Sequence, residues 1–195
     1  MKPFQMIARS ALAGAIVFAA MPALAGEPTK REIREAKAIL QSFFPASRAA
    51  GRCSIEPGWS TDGIPPELVR RYLGVKAKDY LKPPTPKATL QSLLDSDRVG
   101  PSAFCDLDAV KAYEKEQEAL GAKDHFEVPR NAYTFPVFDK RHALAIVVTW
   151  DGAMYWLGLG GKLEPQGGEG SANAVIFRKT HGIWKVIDGV EVGTS

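Results

Sequence analysis

The chain has 195 residues, of which 25 are basic and 22 acidic, for a formal net charge of +3. Two of the basic residues, Lys2 and Arg9, lie in the first 25 residues, where no acidic residue occurs. The rest of the chain is therefore close to neutral, and its net charge gives no reason to expect a nucleic-acid partner.

The N-terminus has the pattern of a secretory signal peptide. After the two basic residues comes an apolar run from Ala11 to Ala20, and Ala23-Leu24-Ala25 forms a small-x-small cleavage site. The run is shorter than the roughly 20 residues that a helix needs to cross a bilayer. We therefore expect residues 1–25 to be a signal peptide cleaved after Ala25. Residues 26–195 should form a single mature domain that is soluble, periplasmic or secreted, and without a transmembrane anchor.

Cys53 and Cys105 are the two cysteines of the chain. An exported protein meets an oxidising compartment, so a disulfide between them is favoured over two free thiols or a nucleophilic cysteine. Neither cysteine stands in a C-x-x-C or thiol-enzyme pattern. The bond would close a loop of about 50 residues, and the chain-entropy model assigns such a closure roughly 4 kcal/mol.

Helical patterns occupy the first part of the mature chain. Thr29-Lys30-Arg31-Glu32 is a capping box that predicts a helix over residues 30–44. The segment 45–104 is rich in proline, with short helices predicted at 66–74 and 89–94. A further helix is predicted to begin at Asp106 or Asp108 and to end before Gly121. Residues 26–128 are thus predicted to be helical and irregular.

Strand patterns follow Pro129. Ala143 to Trp150 is an apolar run typical of a strand covered on both sides, and residues 174–179 and 183–187 predict two strands around a turn. Asp151-Gly152 predicts a hairpin turn, and the glycines of residues 158–171 predict a mobile loop. The predicted class is α+β, with N-terminal helices and a Pro-rich segment packed on an antiparallel sheet of four to five strands over residues 129–195.

The sequence contains no familiar catalytic, metal or cofactor motif. Leu163 breaks any phosphate-loop or dinucleotide pattern in the glycine-rich segment, and no G-x-S-x-G elbow is present. We therefore predict no catalytic residue, no metal ligand and no cofactor, and we leave open whether the chain is an enzyme. His142 and His181 both fall at predicted turns, where polar residues gather without any function. A zinc site built from these two histidines is the alternative.

Trp150, Tyr155 and Trp156 are the candidate binding residues. Aromatic side chains are typical of sheet cores, but Tyr155 and Trp156 are adjacent on a strand and therefore point to opposite faces. Beside a glycine-rich segment, an exposed aromatic side chain fits recognition of a protein or a sugar. Burial of all three in the core is the alternative.

Residues 133–188 resemble the C-terminal sheet of small exported bacterial proteins of unknown function. The order of a helix followed by a sheet with a late tryptophan strand is also similar to the nuclear-transport-factor-2-like fold. These resemblances imply a fold and no functional residue. The segments that carry them are Phe135-Pro136-Val137-Phe138, Ala143 to Trp150, Gly158-Leu159-Gly160-Gly161 and Gly182-Ile183-Trp184-Lys185.

Export, a disulfide, a near-neutral charge and the lack of catalytic motifs favour a periplasmic protein-binding module. Such a module would be an inhibitor or immunity-type protein for an enzyme that acts in the cell envelope. Two alternatives stay open. One is a hydrolase of cell-envelope substrates with a site assembled from distant residues, and the other is a structural envelope protein.

The first prediction concerns processing. We expect the protein isolated from the periplasm to begin at Gly26 and to contain the Cys53–Cys105 disulfide. Intact-mass measurement under non-reducing conditions checks both features. A retained leader or two alkylatable thiols would contradict the expected compartment.

Overall fold

A computed structural model describes residues 27–43, 54–96, 104–121, 125–159 and 162–194. The predicted signal peptide and Cys53 lie outside these ranges. The described part has the predicted α+β class, with a few helices first and a five-stranded antiparallel sheet in the C-terminal half. No helix within the described ranges is long and apolar enough to span a membrane.

Four helices precede the sheet in the described ranges. They are α1 (Lys30–Phe43), α2 (Pro66–Leu68, continued by a π-helical turn at Val69–Leu73), α3 (Leu90–Asp95) and α4 (Leu107–Ala119). The capping box of α1 forms as predicted, because the Thr29 N–H donates to Glu32 Oε2 at 2.7 Å. Asp106 caps α4 by accepting the Ala109 N–H at 2.8 Å.

Five strands form one sheet. They are β1 (His125–Tyr133), β2 (Val137–Phe138), β3 (Leu144–Leu159), β4 (Lys162–Thr180) and β5 (Ile183–Thr194). The strand order is β1-β3-β4-β5, and the short β2 pairs with β3 on the same side as β1. All pairs are antiparallel.

The sheet begins earlier than the sequence predicted. β1 starts at His125 instead of after Pro129, and Pro129 lies inside it, opposite Ala153. Proline lacks the N–H that a central strand needs for its second neighbour. On its other side, β1 exchanges backbone hydrogen bonds with Ser54 and Glu56 at Asn131, and no described residue bonds to Pro129 there, so the missing donor breaks no described bond.

The predicted hairpin turn at Asp151-Gly152 is wrong, because β3 continues through both residues. Gly152 is required there by space: a Cβ atom would lie 2.1 Å from the Glu169 carbonyl oxygen and 2.6 Å from the Trp150 ring. The predicted mobile loop is also mostly strand, since β4 begins at Lys162. The connection between β3 and β4 therefore falls at residues 160–161, outside the described ranges.

The two faces of β3 are covered by different helices. We call the face that carries Ala145 and Val147 the α1 face, and the face that carries Ile146 and Val148 the α4 face. On the α1 face, the core includes Ala36, Ile39 and Leu40 of α1, together with Phe135, Phe177 and Trp184. On the α4 face, α2 and its π-helical turn contribute Leu68, Val69 and Leu73, and α4 contributes Val110 beside Phe126, Val128 and Trp156.

The sheet has two ends, and each carries a different set of polar residues. At the turn end, the β2–β3 connection (residues 139–143) lies next to the β4–β5 connection, since the Lys179 N–H donates to the Ala143 carbonyl at 2.9 Å. At the hairpin end, β3 and β4 run on to their own connection, accompanied on the other side of β3 by β1.

The environment of Cys105 is compatible with the predicted disulfide. Cys105 is buried, and its N–H donates to the carbonyl of Ile55 at 2.7 Å. Cys53, two residues before Ile55 in the chain, lies outside the described ranges. The pairing stays a prediction.

A substitution at Gly152 tests the continuous β3 strand. We expect Gly152→Ala to lower the free energy of unfolding by at least about 2 kcal/mol, because the methyl group would overlap the β4 backbone. Gly189→Ala is the matched control, since a Cβ there meets nothing within 4 Å. Urea unfolding of both variants measures the difference. Equal stabilities would contradict the pairing of Gly152 with β4.

Candidate functional site

The structure places Trp156 in the core. It is 7% exposed and packs on the α4 face with Cys105, Val110 and Phe126. Its indole Nε1 is buried and has no hydrogen-bond partner within the described part of the chain. Trp156 is therefore a packing residue of the hairpin end and is not accessible to a ligand.

Trp150 lies on the same face as Trp156 but is only half-buried. Its ring covers the backbone of two glycines, since a Cβ at Gly152 or Gly170 would come within 2.6 or 2.7 Å of it. The glycines thus let the indole lie flat on the strands. This is a local packing role that the sequence did not indicate.

Tyr155 points to the opposite face, the α1 face, and is half-buried there. It pairs with Glu127 of β1 and Gly167 of β4, and Glu169 of β4 lies diagonally across from it on the same face. A hydrogen bond to the Glu169 carboxylate, followed by burial and the charges of Glu169 and Glu127, raises the pKa of Tyr155 above its usual value. The phenol therefore lies among carboxylates that disfavour its ionised form.

The three predicted aromatic residues thus do not form one surface. Tyr155 instead belongs to a patch that we call the Tyr155 surface, on the α1 face at the hairpin end. Three of its members are exposed and the other two half-buried, so no described helix covers it. The surface consists of Glu127, Pro129, Ala153, Tyr155 and Glu169.

A second polar group lies at the turn end, between α1 and the sheet. Glu35 is buried, and its two carboxylate oxygens accept the Lys179 ammonium at 2.7 and 2.6 Å. The Trp184 indole donates to the same carboxylate at 2.9 Å. Burial alone would raise the pKa of Glu35, but the bonds from Lys179 and Trp184 outweigh it, and the pKa is lowered below its usual value.

His142 lies beside this group. Its ring packs on Phe138 with centroids 5.3 Å apart, and its Nε2 is 3.8 Å from a carboxylate oxygen of Glu32. Both ring nitrogens are buried without a hydrogen bond in the described structure. His142 and His181 both adopt positive φ, at 55° and 51°, which agrees with their predicted place in turns.

The polar groups at the turn end hold α1 on the sheet and are not arranged to act on a substrate. The oxygens of Glu35 are already occupied by Lys179 and Trp184, so the carboxylate has little capacity left to accept a substrate proton. The buried nitrogens of His142 do not face solvent. In the described ranges, no three His, Cys, Asp or Glu side chains are grouped so that they could hold a metal ion.

A long-range polar contact that no sequence pattern indicated joins Tyr72 and Asp188. The Tyr72 hydroxyl donates to the Asp188 carboxylate, which raises the pKa of Tyr72 and lowers that of Asp188. This bond connects the π-helical turn to β5 on the α4 face. The two residues are far apart in the chain, so no local pattern signals the pair.

A pH titration of stability tests the Glu35 group. Because the folded pKa of Glu35 lies below the usual 4.5, its stabilisation is complete above that pH and is lost as pH falls through the folded pKa. We expect Glu35→Gln to cost roughly 2 kcal/mol at neutral pH, from weakened charge-assisted hydrogen bonds, and less in acid.

The control is Glu67→Gln, an exposed glutamate of α2. Urea unfolding should show the same stability for this variant and the parent at every pH. A Glu35→Gln variant as stable as the parent at neutral pH would contradict the role of the pair.

The structure has α1 before the sheet and Trp184 in the last strand. This is the order of elements on which the likeness to the nuclear-transport-factor-2-like fold was based. The likeness itself stays a prediction. No family model matches the chain, and neither does any curated protein or any solved structure.

Proposed function

We propose that the chain is a periplasmic protein-binding module of the inhibitor or immunity type, and that it contacts its partner through the Tyr155 surface. The observation that carries this proposal is a half-buried tyrosine flanked by glutamates of both neighbouring strands, on a sheet face that the described helices leave open. The proposal rests on the predicted export and on this surface together.

The first support is the rigidity of Tyr155. Its strand is paired on both sides, by β1 and by β4, which fixes the backbone that carries the ring. A tyrosine that is already oriented loses little side-chain entropy when a partner covers it. Tyrosine is for this reason common among the residues that dominate binding energy at protein interfaces.

The second support is the charge around Tyr155. Glu127 and Glu169 are exposed on the Tyr155 surface, and Asp151 of β3 and Glu164 of β4 are exposed near it on the same strands. A surface of one charge sign favours encounter with a partner of the opposite sign and disfavours others. The proposed partner therefore presents basic side chains to this end of the sheet.

The third support concerns the alternative of a hydrolase. The polar group at the turn end, where such a site would be sought first, holds α1 on the sheet through Glu35 and buries the nitrogens of His142. The Tyr155 surface lies on an extended sheet face, a form that suits a protein partner better than a small substrate.

Affinity capture from periplasmic extract tests the proposal, followed by titration calorimetry with the captured protein. We expect Tyr155→Ala to weaken binding at least tenfold without lowering the melting temperature, as for a central interface residue. Charge reversal at Glu127 and Glu169 should weaken it further and reduce its salt dependence.

The matched control is Tyr80→Ala, which removes a tyrosine that is 62% exposed and lies outside the sheet. It should leave binding unchanged. If the parent and Tyr155→Ala capture the same protein with the same affinity, the binding surface lies elsewhere.

A further inference from the structure

The turn end of the sheet carries a pair of like charges with no partner. Arg178 of β4 and Lys185 of β5 are directly opposite each other, and both are exposed. Like charges in this position destabilise a sheet. Among the described residues, neither side chain forms an ion pair that would offset the repulsion.

More basic residues gather around this pair. Lys140 and Arg141 are exposed in the β2–β3 connection, which lies against β4 through the hydrogen bond from Lys179 to Ala143. The first turns of α1 are at the same end, because Glu35 binds Lys179 and Glu32 approaches His142. The exposed basic residues of these turns are Lys30, Arg31 and Arg34.

The acidic side chains at the turn end are already engaged within the protein. Asp139 accepts the N–H groups of Ala143 and Leu144 at 2.6 and 2.8 Å. Glu32 belongs to the capping box of α1, and Glu35 binds Lys179. Seven exposed basic residues surround these three carboxylates, so the turn end presents an excess of positive charge to its surroundings.

Aliphatic side chains are exposed among these charges. Ile183, the first residue after the β4–β5 turn, is 63% exposed on the face of β5 that carries Lys185. Val186 is 58% exposed on the opposite face. A basic surface that also exposes aliphatic groups suits the boundary between phospholipid headgroups and acyl chains. Free phosphate or an acidic peptide would use the charges but leave these apolar groups in water.

We propose that the turn end binds the surface of a membrane that contains anionic phospholipids. The basic residues lie on the β2–β3 connection, on α1 and on the β4–β5 pair, on both sides of the sheet end, so a broad partner such as a membrane surface can meet more of them than a narrow one. The acidic Tyr155 surface lies at the other end of the sheet and would be repelled by the same lipids. The protein would thus dock with its turn end on the membrane and its Tyr155 surface facing away.

Vesicle flotation with the processed protein tests this inference. We expect binding to vesicles of phosphatidylglycerol mixed with phosphatidylcholine, its loss at high salt, and none to phosphatidylcholine alone. The double variant Arg178→Gln/Lys185→Gln should bind about thirtyfold more weakly, as expected for the loss of two bases near an anionic surface. Ile183→Asn should weaken binding severalfold without changing its salt dependence.

The control double variant is Lys111→Gln/Lys115→Gln, which removes two exposed lysines of α4 and should bind like the parent. Tyr155→Ala should also bind vesicles normally, so a failure of the proposed protein-binding function is distinguished from a failure here. The melting temperature of the Arg178→Gln/Lys185→Gln variant should equal or exceed that of the parent, because a repulsive pair is removed.

Three outcomes would overturn the inference. The first is no binding to anionic vesicles, and the second is an equal loss in the α4 control. The third is binding of polyglutamate or inorganic phosphate that needs Arg178 and Lys185 while the vesicles are not bound. That last result would assign the turn end to an acidic protein or to free phosphate.

Discussion

The β3 strand is the element on which the rest of the structure depends. Residues 145–149 are buried on both faces, so this short stretch carries the core of the α1 face and that of the α4 face at once. Its partner β4 follows it along its whole length, with a register shift only at Tyr155 and Trp156. Because β3 is not interrupted at Gly152, the sheet extends beyond the helices of the α1 face and exposes Tyr155.

A second constraint holds α1 in place. The apolar face of α1 packs on the sheet through Ala36, Ile39 and Leu40, but such packing has no direction of its own. The bonds from Lys179 and Trp184 to Glu35 add direction, because a carboxylate must lie close to both donors at once. They also fix α1 relative to the β4–β5 turn, and with it the basic residues of its first turns.

Charge is separated along the sheet, although the exported chain is predicted to be almost neutral. The turn end presents lysines and arginines whose acidic neighbours are engaged inside the protein, whereas the hairpin end presents Glu127, Glu164 and Glu169. An arrangement of this kind orients a molecule in the field of a charged partner. The two proposed surfaces are therefore compatible, since one end can meet a membrane while the other meets a protein.

The sequence by itself determined the class of fold and the positions of the helices. The capping box at Thr29, the cap at Asp106 and the apolar run after Ala143 rely on neighbours in the chain, and all three predict the observed elements. The hairpin turn predicted at Asp151-Gly152 was wrong. This dipeptide favours a turn, but here the glycine is needed inside a strand, because the neighbouring strand and the Trp150 indole leave no room for a Cβ atom.

Only the tertiary structure decided which residues share a surface. Alternation along a strand predicts that Tyr155 and Trp156 face opposite ways, but not which of the two faces is covered by α4. The Glu35–Lys179, Tyr72–Asp188 and Arg178–Lys185 pairs depend on strand register and helix position, which no local pattern encodes. The net charge of the chain also does not predict where basic and acidic surfaces lie, because the fold decides which charged residues are close together.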